Sequence, residues 1–199
     1  MRLFVAVFPP DDVRKDLHRR LTEPADDGGR QSDVTNGYGG PFGAPNDDPS
    51  LSPGLPRRHK GGVRLTAVDK WHVTLAFLGE VPAERLPDVE RALDAVTVPR
   101  GVELRLRGGG QFGRDRSTVL WAAVDGDLGP LHAEVHEKLE AAGLPHDDRD
   151  FTPHLTVAYT QDAAVRRALG GYRGPSWTLH EIALVRSDPN EGYTQLRTW

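Results

Sequence analysis

Apolar residues fill Leu3-Phe4-Val5-Ala6-Val7-Phe8, a block bounded by Pro9-Pro10 and too short for a core helix, which predicts a strand over residues 1–8. From Asp11 to Leu21 the period changes. Val13, Leu17 and Leu21 share one helical face behind the start signal Pro10-Asp11. After Thr22 periodicity stops, and residues 24–62 are crowded with Gly, Pro, Asp and Ser, as in Gly37-Tyr38-Gly39-Gly40-Pro41. Such a stretch cannot bury a core, so it reads as a flexible insertion, with a lid or substrate loop as the functional alternative. Pattern resumes at Val63-Arg64-Leu65-Thr66 and continues as a strand led by His72, a helix over Ala83–Val96 and a strand over Val102–Leu106. The glycine-rich Gly108–Gly113 follows that strand as a break. A strand over Val119–Val124, a helix over Leu128–Ala142 ended by Gly143, and a strand led by His154 come next. The chain closes with a helix over Asp162–Leu169 and strands over Trp177–Ser187 and Tyr193–Trp199.

The order strand, helix, strand, helix recurs loosely in both halves, and each half holds one strand led by His-x-Thr. This suggests an internal duplication about a pseudo-twofold axis, with a cleft between two lobes. The two motifs are His72-Val73-Thr74 and His154-Leu155-Thr156. Residues i and i+2 of a strand point to one face, so each His projects with its Thr. Val73, Leu75 and Phe77, and Leu155 and Val157, take the opposite parity and supply a core face. Composition alone predicts about half of one His-x-Thr in the chain, so a single copy would read as ordinary surface. Two copies on matching strands point to a site.

The chemistry of such a site is acid/base work on a phosphate ester. An unperturbed imidazole titrates near pH 6.5, so one His can be charged while the other is neutral around pH 7. Two hydroxyls can donate hydrogen bonds to nonbridging oxygens. No cofactor or metal is needed for that set.

Composition narrows the class of partner. The 199 residues carry a formal charge of −4, too acidic overall for the field that binds long nucleic acid nonspecifically. A nucleic-acid role would act on an end or a small fragment. Local positive charge is available at Arg64, Arg105, Arg107, Arg114 and Arg116, which otherwise read as solvated strand and loop residues. Cysteine is absent, so a disulfide framework, a thiol nucleophile and a thiolate metal site are excluded. Met1–Pro10 is too short to span a bilayer and lacks a small-residue cleavage pattern, which fits a cytoplasmic protein that acts as a monomer, without membrane or obligate protein partner.

Several other residues invite a role. The glycine cluster lacks phosphate-loop spacing and does not open a helix. His132 and His136 sit i, i+4 on a helix but with Glu at the wrong position for a zinc motif, so they read as a solvent-facing pair. His18, His59, His146 and His180 have no local partners. Among the aromatic residues, Phe112, Trp121 and Tyr193 read chiefly as core, and Phe151, just before His154, is the candidate contact for a nucleobase.

These pieces together resemble the two-histidine (2H) phosphoesterase superfamily, and within it the RNA 2′,3′-cyclic phosphodiesterases, also described as 2′-5′ RNA ligases. The resemblance covers most of the chain outside the insertion. It is carried by Arg2–Val7, Val63-Arg64, His72–Gly79, Gly110-Gln111-Phe112, Leu120-Trp121, Phe151–Thr156, Val185-Arg186-Ser187 and Gly192-Tyr193. It implies an α+β fold of two pseudo-symmetric lobes, each an antiparallel sheet with outer helices, in one domain spanning 1–199. It implies opening of RNA 2′,3′-cyclic phosphate ends to 2′-phosphates without a cofactor, with His72 as general acid, His154 as general base, and Thr74 and Thr156 on the phosphate. Where the family commonly has His-x-Thr-Leu-x-Arg, this chain has Val157 and Tyr159, and strand parity turns Tyr159 away from the catalytic pair. A noncatalytic nucleotide-binding module, or action on another cyclic or 2′-5′-linked nucleotide, are the alternatives.

Overall fold

The computed structural model describes residues 1–23, 64–113, 118–147 and 149–199. The insertion expected over 24–62, Arg114 and Arg116 lie outside the described residues. Among the described residues there are eight strands: β1 (Arg2–Val7), β2 (Val73–Glu80), β3 (Glu103–Phe112), β4 (Val119–Asp125), β5 (His154–Ala158), β6 (Arg173–Thr178), β7 (Ala183–Asp188) and β8 (Gly192–Thr198). Four α-helices among the same described residues accompany them: α1 (Asp11–Thr22), α2 (Leu86–Asp94), α3 (Gly129–Ala141) and α4 (Ala163–Gly170).

The strands form a single antiparallel sheet in the order β6-β3-β4-β5-β2-β1-β7-β8. The fold is α+β and antiparallel, as the family resemblance implies. Its two four-stranded halves, β6-β3-β4-β5 and β2-β1-β7-β8, meet through one residue pair, Val73 opposite Leu155. Helices α1 and α4 pack toward β3 and β6, while α2 and α3 pack on each other and α3 on β2.

Local chemistry accounts for these elements. Val13, Leu17 and Leu21 bury one stripe of α1, with Asp11 and Asp12 at its positive end. The Asp162 carboxylate accepts from the Ala164 and Val165 amides and starts α4. Gly143, at φ +61°, ends α3 and lets the Leu144 amide reach back to the Leu139 carbonyl. The helix-side core draws alternate strand residues, including Leu3, Val5 and Val7 of β1 and Val73 and Leu75 of β2. The other face carries a small apolar cluster of Phe4, Ala6, Ala183 and Val185, flanked by Phe8 and Tyr193.

Three element boundaries differ from the expectation. Residues 177–187 are two strands, because Leu179 to Ile182 leave the edge of β3 and carry the chain to β1. The expected strand Val102–Leu106 continues to Phe112, so the glycine cluster lies largely inside β3. The expected helix at Ala83 begins as a short 3₁₀ turn, Ala83–Arg85, before α2.

Candidate active site

The pairing of β2 with β5 sets the site. With Val73 opposite Leu155, both buried in the helix-side core, His72, Thr74, His154 and Thr156 share the opposite face. Continuing that antiparallel register places His72 diagonal to His154, with each histidine beside the other motif's threonine. The neighbouring strands extend the face: Ala6 lies opposite Thr74, Trp121 opposite Thr156 and Ala123 opposite His154.

Because β2 and β5 share one bridge, other bonds hold the motifs together. Thr66, from the segment leading into motif one, donates its amide to the Val157 carbonyl at 2.8 Å. Its hydroxyl lies 3.0 Å from that carbonyl oxygen and 3.1 Å from that of Thr156. The same hydroxyl accepts the Trp71 indole N–H at 2.7 Å. Trp71 is 1% exposed and adjoins His72, so this staple ties the root of one motif to the backbone of the other.

Both imidazoles are oriented in the same way. Nδ1 of His72 lies 2.6 Å from the Lys70 carbonyl oxygen, and Nδ1 of His154 lies 2.7 Å from that of Thr152, each two residues upstream. A carbonyl only accepts, so Nδ1 carries the hydrogen and Nε2 is the basic nitrogen of each neutral ring. His72 stands within an aromatic wall: Phe4 at 4.8 Å, Tyr193 at 5.5 Å and Phe8 at 5.7 Å between ring centres. Burial there lowers its pKa to about 4, against the opposing effect of the Lys70 carbonyl, and the charge of His154 lowers it further. The two imidazoles therefore sense one another.

His154 meets Phe112 edge-on at 4.9 Å and Trp121 at 6.0 Å. Phe112, Trp121 and Tyr193, which read as core in the sequence, thus adjoin the histidines and remain partly exposed. Their strand parity relative to the motifs was the available signal, and it requires knowing which strands are neighbours. Phe151 is placed differently. Its ring lies flat on His132, 4.1 Å away and 14° from parallel, against the helix-side core. His132 and His136 are not a solvent-facing pair: they lie 4.1 Å apart, His136 Nε2 donates to the Leu75 carbonyl, and His146 packs against His136. The loop after α3 closes on β2 there, with Asp147 accepting the Phe77 amide, and this covers the helix face. Among the described residues no cluster of side chains suits a metal ion. Of the local arginines, Arg105 donates to the Gly174 carbonyl and Arg107 pairs with Asp125. Tyr159 follows the end of β5, where strand parity no longer applies, and is 49% exposed.

An antiparallel sheet that presents two His-x-Thr strands side by side defines a two-histidine phosphoesterase. The chain belongs to the 2′-5′ RNA ligase superfamily, whose sequence model matches residues 57–191. It is 31% identical to an RNA 2′,3′-cyclic phosphodiesterase of Thermus thermophilus, over 94% of this chain and 82% of the relative. The corresponding protein of Escherichia coli is 31% identical over 68% of this chain and 78% of its own length. A crystal structure of a Thermus thermophilus protein superposes with a TM-score of 0.67 at 26% identity, covering 100% of this chain and 97% of the other. The fold is shared with Escherichia coli LigT crystallised with 3′-AMP, at a TM-score of 0.64, 24% identity and coverage of 100% and 96%.

Proposed function

We propose that this protein hydrolyses RNA 2′,3′-cyclic phosphate ends to 2′-phosphates at the face shared by the two His-x-Thr motifs. The observation that carries the reading is the matched pair of imidazoles, each with Nδ1 committed to a carbonyl two residues upstream, which makes Nε2 the basic nitrogen of the neutral ring. Two relatives named RNA 2′,3′-cyclic phosphodiesterase, similar over most of their length, support the substrate.

In this mechanism Nε2 of His154 takes a proton from water as its oxygen attacks phosphorus in line with the 3′ oxygen. The bond from phosphorus to that oxygen breaks, and Nε2–H of His72 protonates it. Water thus adds its oxygen to phosphorus and a proton reaches the ribose, leaving a 2′-phosphate. Thr74 and Thr156 donate hydroxyl hydrogens to the nonbridging oxygens as charge concentrates there. The two imidazoles and two hydroxyls suffice for this sequence of steps.

The lowered pKa of His72 bears on the roles. Near pH 7 the imidazole is neutral in the free protein, and an acid must first be protonated. A phosphate anion bound between the motifs favours the imidazolium and supplies that change. The low value in the free protein also favours a second reading in which His72 is the base and His154 the acid. The experiment is turnover, with EDTA present, of a short RNA ending in a 2′,3′-cyclic phosphate by the wild type, His72→Ala and His154→Ala. Conversion to a 2′-phosphate that falls by about 10²–10⁴ in each variant supports the reading. Near-full activity in either variant, or a 3′-phosphate product, contradicts it.

A further inference from the structure

We propose that Lys70 binds the phosphodiester on the 5′ side of the terminal nucleotide, so that the protein prefers RNA ends to cyclic mononucleotides; the inference rests on the proposed reaction, with His72 as the acid. In-line attack puts the water and the departing 3′ oxygen on opposite sides of phosphorus. His154 receives the water, so the ribose lies on the His72 side. The chain that continues from its 5′ carbon then meets the half of the sheet built from β1, β7 and β8.

Lys70 serves that side with both its backbone and its side chain. Nδ1 of His72 donates to its carbonyl across 2.6 Å. Its ammonium stands over the Tyr193 ring, 5.4 Å from the centre, and Tyr193 meets His72 edge-on at 5.5 Å. One aromatic ring thus separates the cation from the imidazole, a spacing that suits one ribose between two phosphates. The end of the stem lies against bare backbone where β8 leaves its turn. Gly192 is there at φ +83°, and a Cβ on it would stand 3.4 Å from Nζ and 3.5 Å from Cε of Lys70. Two carboxylates of that turn are directed elsewhere: Asp188 accepts the Asn190 and Glu191 amides, and Glu191 accepts from Arg186.

A lysine ammonium is a compact point charge, suited to a phosphodiester whose two free oxygens share one negative charge. The ring beneath it attracts the cation without neutralising it, and the residue remains partly exposed. Because the whole chain carries −4, attraction for RNA has to come from a local cation of this kind rather than from a general field.

The test compares kcat/KM for adenosine 2′,3′-cyclic phosphate, which lacks that phosphodiester, with kcat/KM for adenylyl-(3′→5′)-adenosine 2′,3′-cyclic phosphate. The proteins are the wild type, Lys70→Met and Lys70→Arg. The wild type should prefer the dinucleotide. Lys70→Met keeps an apolar stem but removes the charge, and it should lower that preference about fivefold, as for a partly exposed ion pair. For the dinucleotide, the slope of log kcat/KM against log salt should become shallower by about 0.7 in Lys70→Met. Lys70→Arg should retain most of the preference. A lysine that only clasps the turn or steadies His72 would slow both substrates alike, and a preference unchanged in Lys70→Met overturns the subsite. Equilibrium binding of the corresponding 2′-phosphates separates the two proposals. A binding preference for the dinucleotide that depends on Lys70, without turnover of either cyclic phosphate, would sink the proposed reaction and keep the subsite; turnover of both with a preference indifferent to Lys70 would do the reverse.

Discussion

His72 has its Nδ1 hydrogen held by the Lys70 carbonyl and its ring surrounded by Phe4, Phe8 and Tyr193, so its state of protonation is set by what enters the site. In the free protein its imidazole should titrate near 4. Bound inorganic phosphate should move that value upward, as followed by proton NMR of the ring across a pH range of about 3.5–8 that brackets both values. A His72 that stays neutral at about pH 6 with phosphate bound would remove it as the acid. Thr156→Val keeps the shape of the side chain but removes the donor, and hydrogen bonds to charged groups are worth roughly 1.5–3 kcal/mol. We expect kcat/KM to fall about tenfold to a hundredfold; an unchanged value would take Thr156 off the phosphate. The four motif residues were legible from sequence because i and i+2 share a strand face. The pKa of His72 was not, because its aromatic wall comes from β1, β8 and the residue after β1.

The junction of β2 with β5 is where an element decides function. One bridge, Val73 with Leu155, is little pairing for two strands that, in the proposed mechanism, hold the acid and the base in mutual register. Thr66 and Trp71 reinforce it from outside the ladder. Thr66→Val should lower kcat about tenfold with little effect on KM, and Thr66→Ser should restore most of the loss. A change confined to thermal stability, with kcat unaltered, would show that Thr66 only supports the fold. Sequence pattern located both His-led strands but could not show that they adjoin, since β2 ends at Glu80 and β5 begins only at His154. Nor could it separate β6 from β7, because Leu179 and Ile182 in the segment joining them are apolar as well, or place the glycines in β3, since their need arises from Trp121 across the ladder.

For the molecule as a whole, burying a neutral histidine makes stability depend on pH. The pKa of His72 is about 6.5 unfolded and about 4 folded, so the unfolded state binds the proton first as pH falls. Its contribution is fully present above about pH 6.5, is lost between about 6.5 and 4, and amounts to up to about 3 kcal/mol. His132, whose pKa is lowered to about 4 chiefly by burial and next by His136, acts in the same direction. Urea unfolding at about pH 7.5 and about pH 4.5 should show the loss, and His72→Phe should make it smaller; an equal loss in that variant would assign the effect elsewhere. The elements and the two motifs were legible because strand and helix periods are local and the motifs repeat, and the α+β class followed from the family resemblance those motifs carry. The joining of both halves into one sheet was not, because it rests on a single long-range pair.

The central claim is that His72 and His154 act on one phosphate as a single unit. Its most direct test is a cycle of His72→Ala, His154→Ala and the double variant, assayed for hydrolysis of an RNA 2′,3′-cyclic phosphate. Groups that work as a unit are strongly non-additive. The double variant should therefore be about as slow as the slower single one. Losses that multiply would mean that the two histidines contribute independently, and the account of a shared site would fail.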